Sequence, residues 1–304
     1  MEGGTERESE ADAMKQVIVV GVDRSARSRP AVEWAAREAV LRDLPLCVVH
    51  VAPPGGPDAP RPETVAAALA VDRCPTVAVE SVRLTGEPGA VLLERGVDAA
   101  MTVLGLRGEG RRTGLTPGST ARVVAGSARC PVVLVPAGPA PRLPPGPARP
   151  ARPARPARPA PRLPAGRPYQ VLAAVDADDP ADGAVDFAFD TARLHGARLQ
   201  ALYAGPPPLR APGPAGRATS AARHAARAER ELGLLTRALR PWRAKYPAVR
   251  VFEDVVLFDP ARALIRASHH ADLMVVGRGG RGGLGPVAYA VARHTACPLA
   301  VVPA

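Results

Sequence analysis

Short apolar runs alternate along the chain with longer stretches whose apolar positions recur every three or four residues. Val17 to Val22 is a continuous apolar run rich in β-branched residues, the pattern of a strand buried on both faces. Asp23 to Pro30 is a polar turn, and beyond it Val32, Ala35, Ala36, Ala39 and Val40 share one face of a helix over 31–41. Leu46 to Val51 reads as a second strand. A Pro/Gly loop at 53–62 leads to an Ala-rich helix over 63–72, a strand at 76–84, a helix at 89–96, a strand at 100–104, a helix at 119–127 and a last strand at 132–135. Strands separated by helices at this spacing predict a doubly wound α/β fold. Such sheets hold ligands at the carboxyl ends of their strands, where the strand order reverses.

The pattern then repeats. Residues 17–35 align with residues 170–188 at an offset of 153, Asp23 falling on Asp176 and Trp34 on Phe187. Leu-Cys-Val-Val-His-Val (46–51) falls on Leu-Gln-Ala-Leu-Tyr-Ala (199–204). Near the ends, Ala-Arg-Cys-Pro (128–131) falls on Thr-Ala-Cys-Pro (295–298) at a larger offset. An offset that changes along the chain means loop insertions in a duplicated domain, not a short-period solenoid. The expected organisation is an acidic, disordered N-terminus (1–14), a first domain (15–136), a Pro/Ala/Arg-rich linker (137–168) and a second domain (169–304), each domain with a five-stranded, mainly parallel sheet. In the second copy the second helix is longer, 217–244, with Arg223, Arg227, Arg230 and Arg237 at helical spacing. That row reads as a solvated face. Each copy ends in an apolar strand (132–135 and 298–302) whose edge needs covering, so the copies are expected to pack as a pseudo-dimer, and a homodimer through a similar edge remains open.

The chain has 304 residues and a formal net charge of +11, which suggests a nucleic-acid partner until the charge is divided. Residues 1–135 carry 16 basic and 17 acidic side chains, residues 136–168 carry 7 Arg and no acid, and residues 169–304 carry 17 basic and 12 acidic. The middle stretch also holds 13 prolines in 33 residues. Proline fixes φ and removes backbone donors, so the stretch reads as an extended spacer, not a specific nucleic-acid site. No apolar run approaches the roughly 20 residues of a membrane span. The first fourteen residues are acidic and polar, where a secretory signal is basic and then apolar, so the expected location is the cytosol. Cys47, Cys74, Cys130 and Cys297 have no CxxC spacing and no His partner at zinc-ligand distances; buried free thiols are expected, and no metal ligands are assigned. An Arg-rich, Lys-poor composition fits a GC-rich bacterial genome.

Candidate chemistry follows the strand at 100–104. The chain there reads Gly105, Leu106, Arg107, Gly108, then nine residues, then Gly118-Ser119-Thr120 opening a helix. Glycines let backbone amides approach a phosphate or ribose with no Cβ in the way. The unpaired amides and dipole of a helix N-terminus attract anions, and the Ser119 and Thr120 hydroxyls add donors. Taken alone, this is also what an ordinary Gly-rich loop with a capped helix looks like.

The arrangement resembles the nucleotide-binding signature of the universal stress protein family, Gly-x2-Gly-x9-Gly-Ser/Thr between the fourth strand and the fourth helix. The resemblance extends to the Gly-Val-Asp turn after the first strand, Val49-His50-Val51 at the end of the second, the Gly-Glu-Pro turn at 86–88 and the Cys-Pro start of the last strand. It covers both halves and implies an adenine nucleotide-binding α/β fold of the alpha-hydrolase type in each. It also implies ATP as ligand, with or without magnesium. Val22 and Asp23 would meet the nucleotide at the first turn and Val51 the adenine, while Gly105, Leu106, Arg107, Gly108, Gly118, Ser119 and Thr120 would hold ribose and phosphates. Family members usually follow Gly-Ser with a small apolar residue and then Ser or Thr; here Thr120 and Ala121 stand in the opposite order, which leaves the last phosphate contact unassigned. Arg111, Arg112 and Glu109 lie within the loop.

The second copy has four residues between Gly280 and Gly285 where the first has nine, and Pro286 where the first has Ser119. Proline suits the first turn of a helix but removes an amide donor and a hydroxyl, so this site is expected to be degenerate. Residues 277–282 satisfy GxGxxG, yet a dinucleotide fold needs that motif after its first strand. No P-loop or GxSxG elbow occurs, and His50, His195, His224, His269, His270 and His294 form no triad pattern. His269-His270 should end the third helix of the second copy. The resulting expectation is a tandem protein that binds ATP in its first half and regulates a stress response without catalytic residues. A slow ATP-cleaving enzyme and a nucleotide-free scaffold stay open as alternatives.

Overall fold

A computed structural model of the chain describes residues 16–53, 61–108, 117–138, 168–177, 179–206, 214–280 and 283–303. The expected N-terminal segment, most of the linker and the loop residues Glu109, Arg111 and Arg112 lie outside them. The first half runs β1 (Ile18–Val22), α1 (Arg29–Arg42), β2 (Leu46–Ala52), α2 (Pro62–Arg73), β3 (Val79–Thr85), α3 (Pro88–Arg95), β4 (Met101–Gly105), α4 (Ser119–Ser127) and β5 (Val132–Val135). The second runs β6 (Gln170–Ala174), α5 (Asp182–Leu194), β7 (Arg198–Gly205), α6 (Pro214–Lys245), β8 (Arg250–Leu257), α7 (Pro260–Ser268), β9 (Leu273–Gly277), α8 (Pro286–His294) and β10 (Leu299–Val302).

These strands form one ten-stranded sheet in the order β3-β2-β1-β4-β5-β10-β9-β6-β7-β8. Within each half neighbouring strands are parallel, and the halves join where β5 and β10 pair antiparallel, Leu299 opposite Leu134 and Val301 opposite Val132. The two expected five-stranded sheets are thus one, and each covers the edge the other would expose. In the first half the chain moves outward from β1 through β2 to β3 and then returns to the other side of β1 with β4. The β1/β4 boundary is therefore the switch point at which an open α/β sheet leaves a crevice.

Residues of β1 and β2 are buried on both faces, as their continuous apolar runs require. One face of the sheet holds Ile18, Val20 and Trp34 of the first half together with Phe189, Leu199 and Leu235 of the second, under α1, α2, α5 and α6. The other holds Val19, Val49, Leu92 and Val124 with Met274, Val291 and Leu299, under α3, α4, α7 and α8. Both layers run unbroken across the junction. The third strand begins at Val79, later than the expected 76, because Cys74 to Val77 form a turn closed by Val77 N–H donating to the Cys74 carbonyl at 3.1 Å. Val77 remains buried beneath that turn, so its apolar side chain serves the core without extending the strand.

A buried polar cluster also spans the junction. The Glu38 carboxylate on α1 lies 2.8 Å from His195 Nε2 at the end of α5, and both side chains are 1% exposed. Arg42 donates to Glu38 Oε1 at 2.7 Å, to Asp190 Oδ2 at 2.9 Å and to the Thr191 hydroxyl at 3.0 Å. Burial alone would raise the Glu38 pKa, but the hydrogen bonds and charges of His195 and Arg42 outweigh it and hold the carboxyl below its usual range. On the opposite face Arg278 donates to the Ala128 carbonyl at 2.9 Å. A Cβ on Gly126 would lie 3.1 Å from Gly283 Cα, so a residue without a side chain stands where α4 meets the second half.

All four cysteines are free and buried, and burial pushes the Cys297 thiol up to about 12. On α6, Arg227 pairs with Glu231, while Arg223 and Arg230 are exposed. Among the described residues no helix is long and apolar enough to cross a membrane.

Candidate functional site

A cavity of about 650 Å³ opens at the carboxyl ends of β1, β2 and β4. Gly21, Val22 and Asp23 reach it from the first strand, Val49, His50 and Val51 from the second, and Leu104 and Gly105 from the fourth. Arg107, Gly108 and the stretch Pro117 to Arg122 complete the wall on the α4 side, with Ser28, Pro88 and Leu92 around the rim. Parallel pairing sets this convergence: Val22 lies level with His50, and Gly21 with Leu104.

The cavity has two chemical ends. Val22, Val49, Val51, Pro88 and Leu92 give one an apolar lining that suits a flat aromatic base. The other is lined by Arg107, Ser119, Thr120 and Arg122, with the first turn of α4. The earliest bond closing that turn is Arg122 N–H to the Gly118 carbonyl at 2.9 Å, and no side chain caps Gly118. The amides at the start of the helix therefore remain available to an anion. Among the described residues Asp23 is the one carboxylate in the lining.

Local hydrogen bonds hold this shape. Asp23 Oδ1 accepts from the backbone N–H of Ser25 at 3.0 Å and from its hydroxyl at 2.7 Å, fixing the turn after β1. Arg27 donates to the Gly108 carbonyl at 3.3 Å. A Cβ on Gly108 would meet Asp23 Oδ2 at 2.8 Å, whereas one on Gly118 would find Gly108 N, the nearest atom among the described residues, at 3.6 Å. Gly108 is thus needed by the resting fold, and Gly118 keeps a gap open between the loop and the helix. His50 Nδ1 lies 3.0 Å from the Val22 carbonyl and ties the ends of β1 and β2 together. Glu87 caps α3 by accepting from Ala90 N–H at 2.7 Å, and Gly86 before it takes a φ of +147°, which accounts for the Gly-Glu-Pro turn.

Nine of the ten residues singled out from the sequence line this cavity: Val22, Asp23, Val51, Gly105, Arg107, Gly108, Gly118, Ser119 and Thr120. Leu106 does not. Its side chain is 1% exposed and packs in the core, its N–H donates to the Val135 carbonyl, and its carbonyl accepts from Gly118 N–H at 3.0 Å. With both backbone groups engaged, it supports the loop from below. Ala121 is buried and Thr120 half-buried, and both line the cavity.

Sequence reasoning missed Arg122 and Tyr289. Arg122 was visible as a cation in the first turn of α4, three residues beyond Ser119. Tyr289 belongs to α8 of the second half, and only the docking of the halves brings it to this wall. In the second half the Gly285 N–H donates to the Arg278 carbonyl at 2.9 Å, as Gly118 N–H does to Leu106, but the gap beside it is closed by backbone: a Cβ on Gly285 would overlap the Gly279 carbonyl. Pro286 occupies the first turn of α8. His269 follows α7 as its C-cap, as expected.

Comparison with known proteins gives consistent results. The Universal stress protein family matches residues 14–136 and 169–303. Universal stress protein Rv1996 of Mycobacterium tuberculosis is 34% identical over 325 residues, covering 93% of this chain and 94% of the relative. Universal stress protein Rv2623 of the same organism is 31% identical over 310 residues, covering 94% of each. The crystal structure of a universal stress protein from Archaeoglobus fulgidus superposes with a TM-score of 0.59 at 15% identity, covering 94% of this chain and 96% of that one.

Proposed function

The chain belongs to the universal stress protein family, and from that premise we propose that its first half binds an adenine nucleotide, ATP in particular, and that the protein acts as a nucleotide-linked regulator of a stress response. One observation carries the reading. At the switch point of the first half-sheet, an apolar slot and an anion-attracting end share one cavity, with Gly118 keeping the gap between them and the loop free of side chain. The base lies against Val22, Val49 and Val51. The phosphates lie along Gly105, Gly108 and the first turn of α4, with Arg107 and Arg122 offsetting their charge.

The second half is the nucleotide-free partner in this reading. The closed gap at Gly285 and the proline at 286 leave it without the donors that Ser119 and its amide supply. The expected output is binding rather than turnover: Asp23, the carboxylate among the described lining residues, is held by Ser25 and orients the turn. In this reading the protein works in the cytosol, and the Pro/Ala/Arg-rich linker expected at 137–168 is a tether that takes no part in holding the ligand.

The test is direct. Protein purified from cells is denatured, and the released small molecules are chromatographed and identified by mass. One equivalent of adenine nucleotide per chain, or uptake of added ATP to that stoichiometry, is the expected result. A protein that carries none and takes up none is the scaffold alternative.

A further inference from the structure

From the way α8 meets the first half, we propose that Tyr289 contacts the phosphate-bearing end of the nucleotide held there, so that the site is built by both halves. The inference rests on the nucleotide reading above and adds a residue that no motif contains. Tyr289 lines the first half's cavity together with Arg107 and Arg122. One helical turn later, the backbone carbonyl of Arg293 accepts a hydrogen bond from Arg107 Nη2 at 3.4 Å. Arg107 therefore meets α8 near its C-terminal end, within one turn of Tyr289.

The helix that carries Tyr289 is thus the one that holds Arg107 in the cavity wall. A phenol there offers a hydroxyl donor to an anion and a ring that shields it from water. Arg107 gains a role through the same contact: its guanidinium, on a loop that follows β4, is steadied by the second half. The ligand would therefore touch both halves, and the second half, with its own cleft closed, retains a use in the first.

The test uses the full chain with Tyr289→Ala and Tyr289→Phe, titrated calorimetrically with ATP and with AMP. Loss of a hydrogen bond to a charged phosphate weakens binding by about tenfold. We expect that loss for ATP in both variants, with AMP weakened less than threefold and the ligand-free melting temperatures unchanged. The split between ATP and AMP is a readout that a purely structural tyrosine would not move, and Tyr289→Phe keeps the ring should the alanine variant fold poorly. Wild-type protein that binds ATP while both variants bind it equally well overturns the inference alone. Wild-type protein that binds neither nucleotide overturns the reading of function on which it rests.

Discussion

Gly118→Val asks the sharpest question of the site. The residue sits at φ −58° and ψ 154°, a conformation that valine adopts readily. A Cβ there has Gly108 N at 3.6 Å as its nearest neighbour among the described residues, an ordinary contact. The ligand-free protein should therefore fold with a stability change within about 0.5 kcal/mol, typical of a substitution that disturbs no packing. The two added methyls occupy the gap through which phosphate oxygens must approach the amides of α4. If the proposed site binds ATP, ligand at about 100 times its dissociation constant should stabilise the unaltered protein by about 2.7 kcal/mol. At roughly 2 °C per kcal/mol for a chain of this size, differential scanning fluorimetry should show a shift of roughly 5 °C. The variant should show no shift and an unchanged ligand-free midpoint. An undiminished shift would mean that phosphate does not pass Gly118, and the proposed site would fall. The counterpart Gly285→Val looks like a matching control from the sequence, but its Cβ would overlap the Gly279 carbonyl. It would disturb α8 for reasons unrelated to a ligand, so Arg262→Ala on the exposed part of α7 is the sounder control.

Ser119→Ala removes one hydroxyl from the cationic end and should weaken ATP about tenfold by calorimetry while leaving AMP nearly unaffected. Glu38→Ala leaves His195 and Arg42 buried at the junction without their carboxylate, and breaking such a pair costs about 3–5 kcal/mol in denaturant unfolding; a loss under about 1 kcal/mol would show that water already reaches the cluster. Because the Glu38 carboxyl titrates below its usual range in the folded protein, its contribution is complete above the unfolded value of 4.5 and is lost as pH falls through the lower folded value; acid unfolding below about pH 4.5 should be shallower in Glu38→Gln. A protease site inserted between residues 139 and 167 and then cut should leave both halves in one peak on a sizing column without denaturant, since β5–β10 pairing and the Glu38 cluster hold them; separation into two peaks would contradict the continuous sheet.

The alternation of continuous apolar runs with helical periodicity made most elements legible, because a strand buried on both faces has no polar positions to disguise it. The start of β3 is not legible, because Val77 is apolar for the core and not for a strand. At the site, the glycine spacing could be read because each glycine answers a local demand: Asp23 against Gly108, the open gap at Gly118. Leu106 sits between Gly105 and Gly108 in sequence and is buried in the core, a fact that depends on its bonds to Val135 and Gly118. Tyr289 and the Glu38–His195 pair were not legible at all. They depend on how two halves dock, and nothing near Glu38 in the sequence refers to a histidine 157 positions away.

The antiparallel meeting of β5 and β10 has a consequence for how such a molecule can change. Two identical chains joined by the same strand pairing would carry every substitution twice, once at each cleft. With both copies in one polypeptide, the position that is Ser119 in one half is Pro286 in the other, and Arg122 in one is Tyr289 in the other. Selection can then act on the two clefts separately, keeping one as a receptor while the other is reshaped into its neighbour's wall.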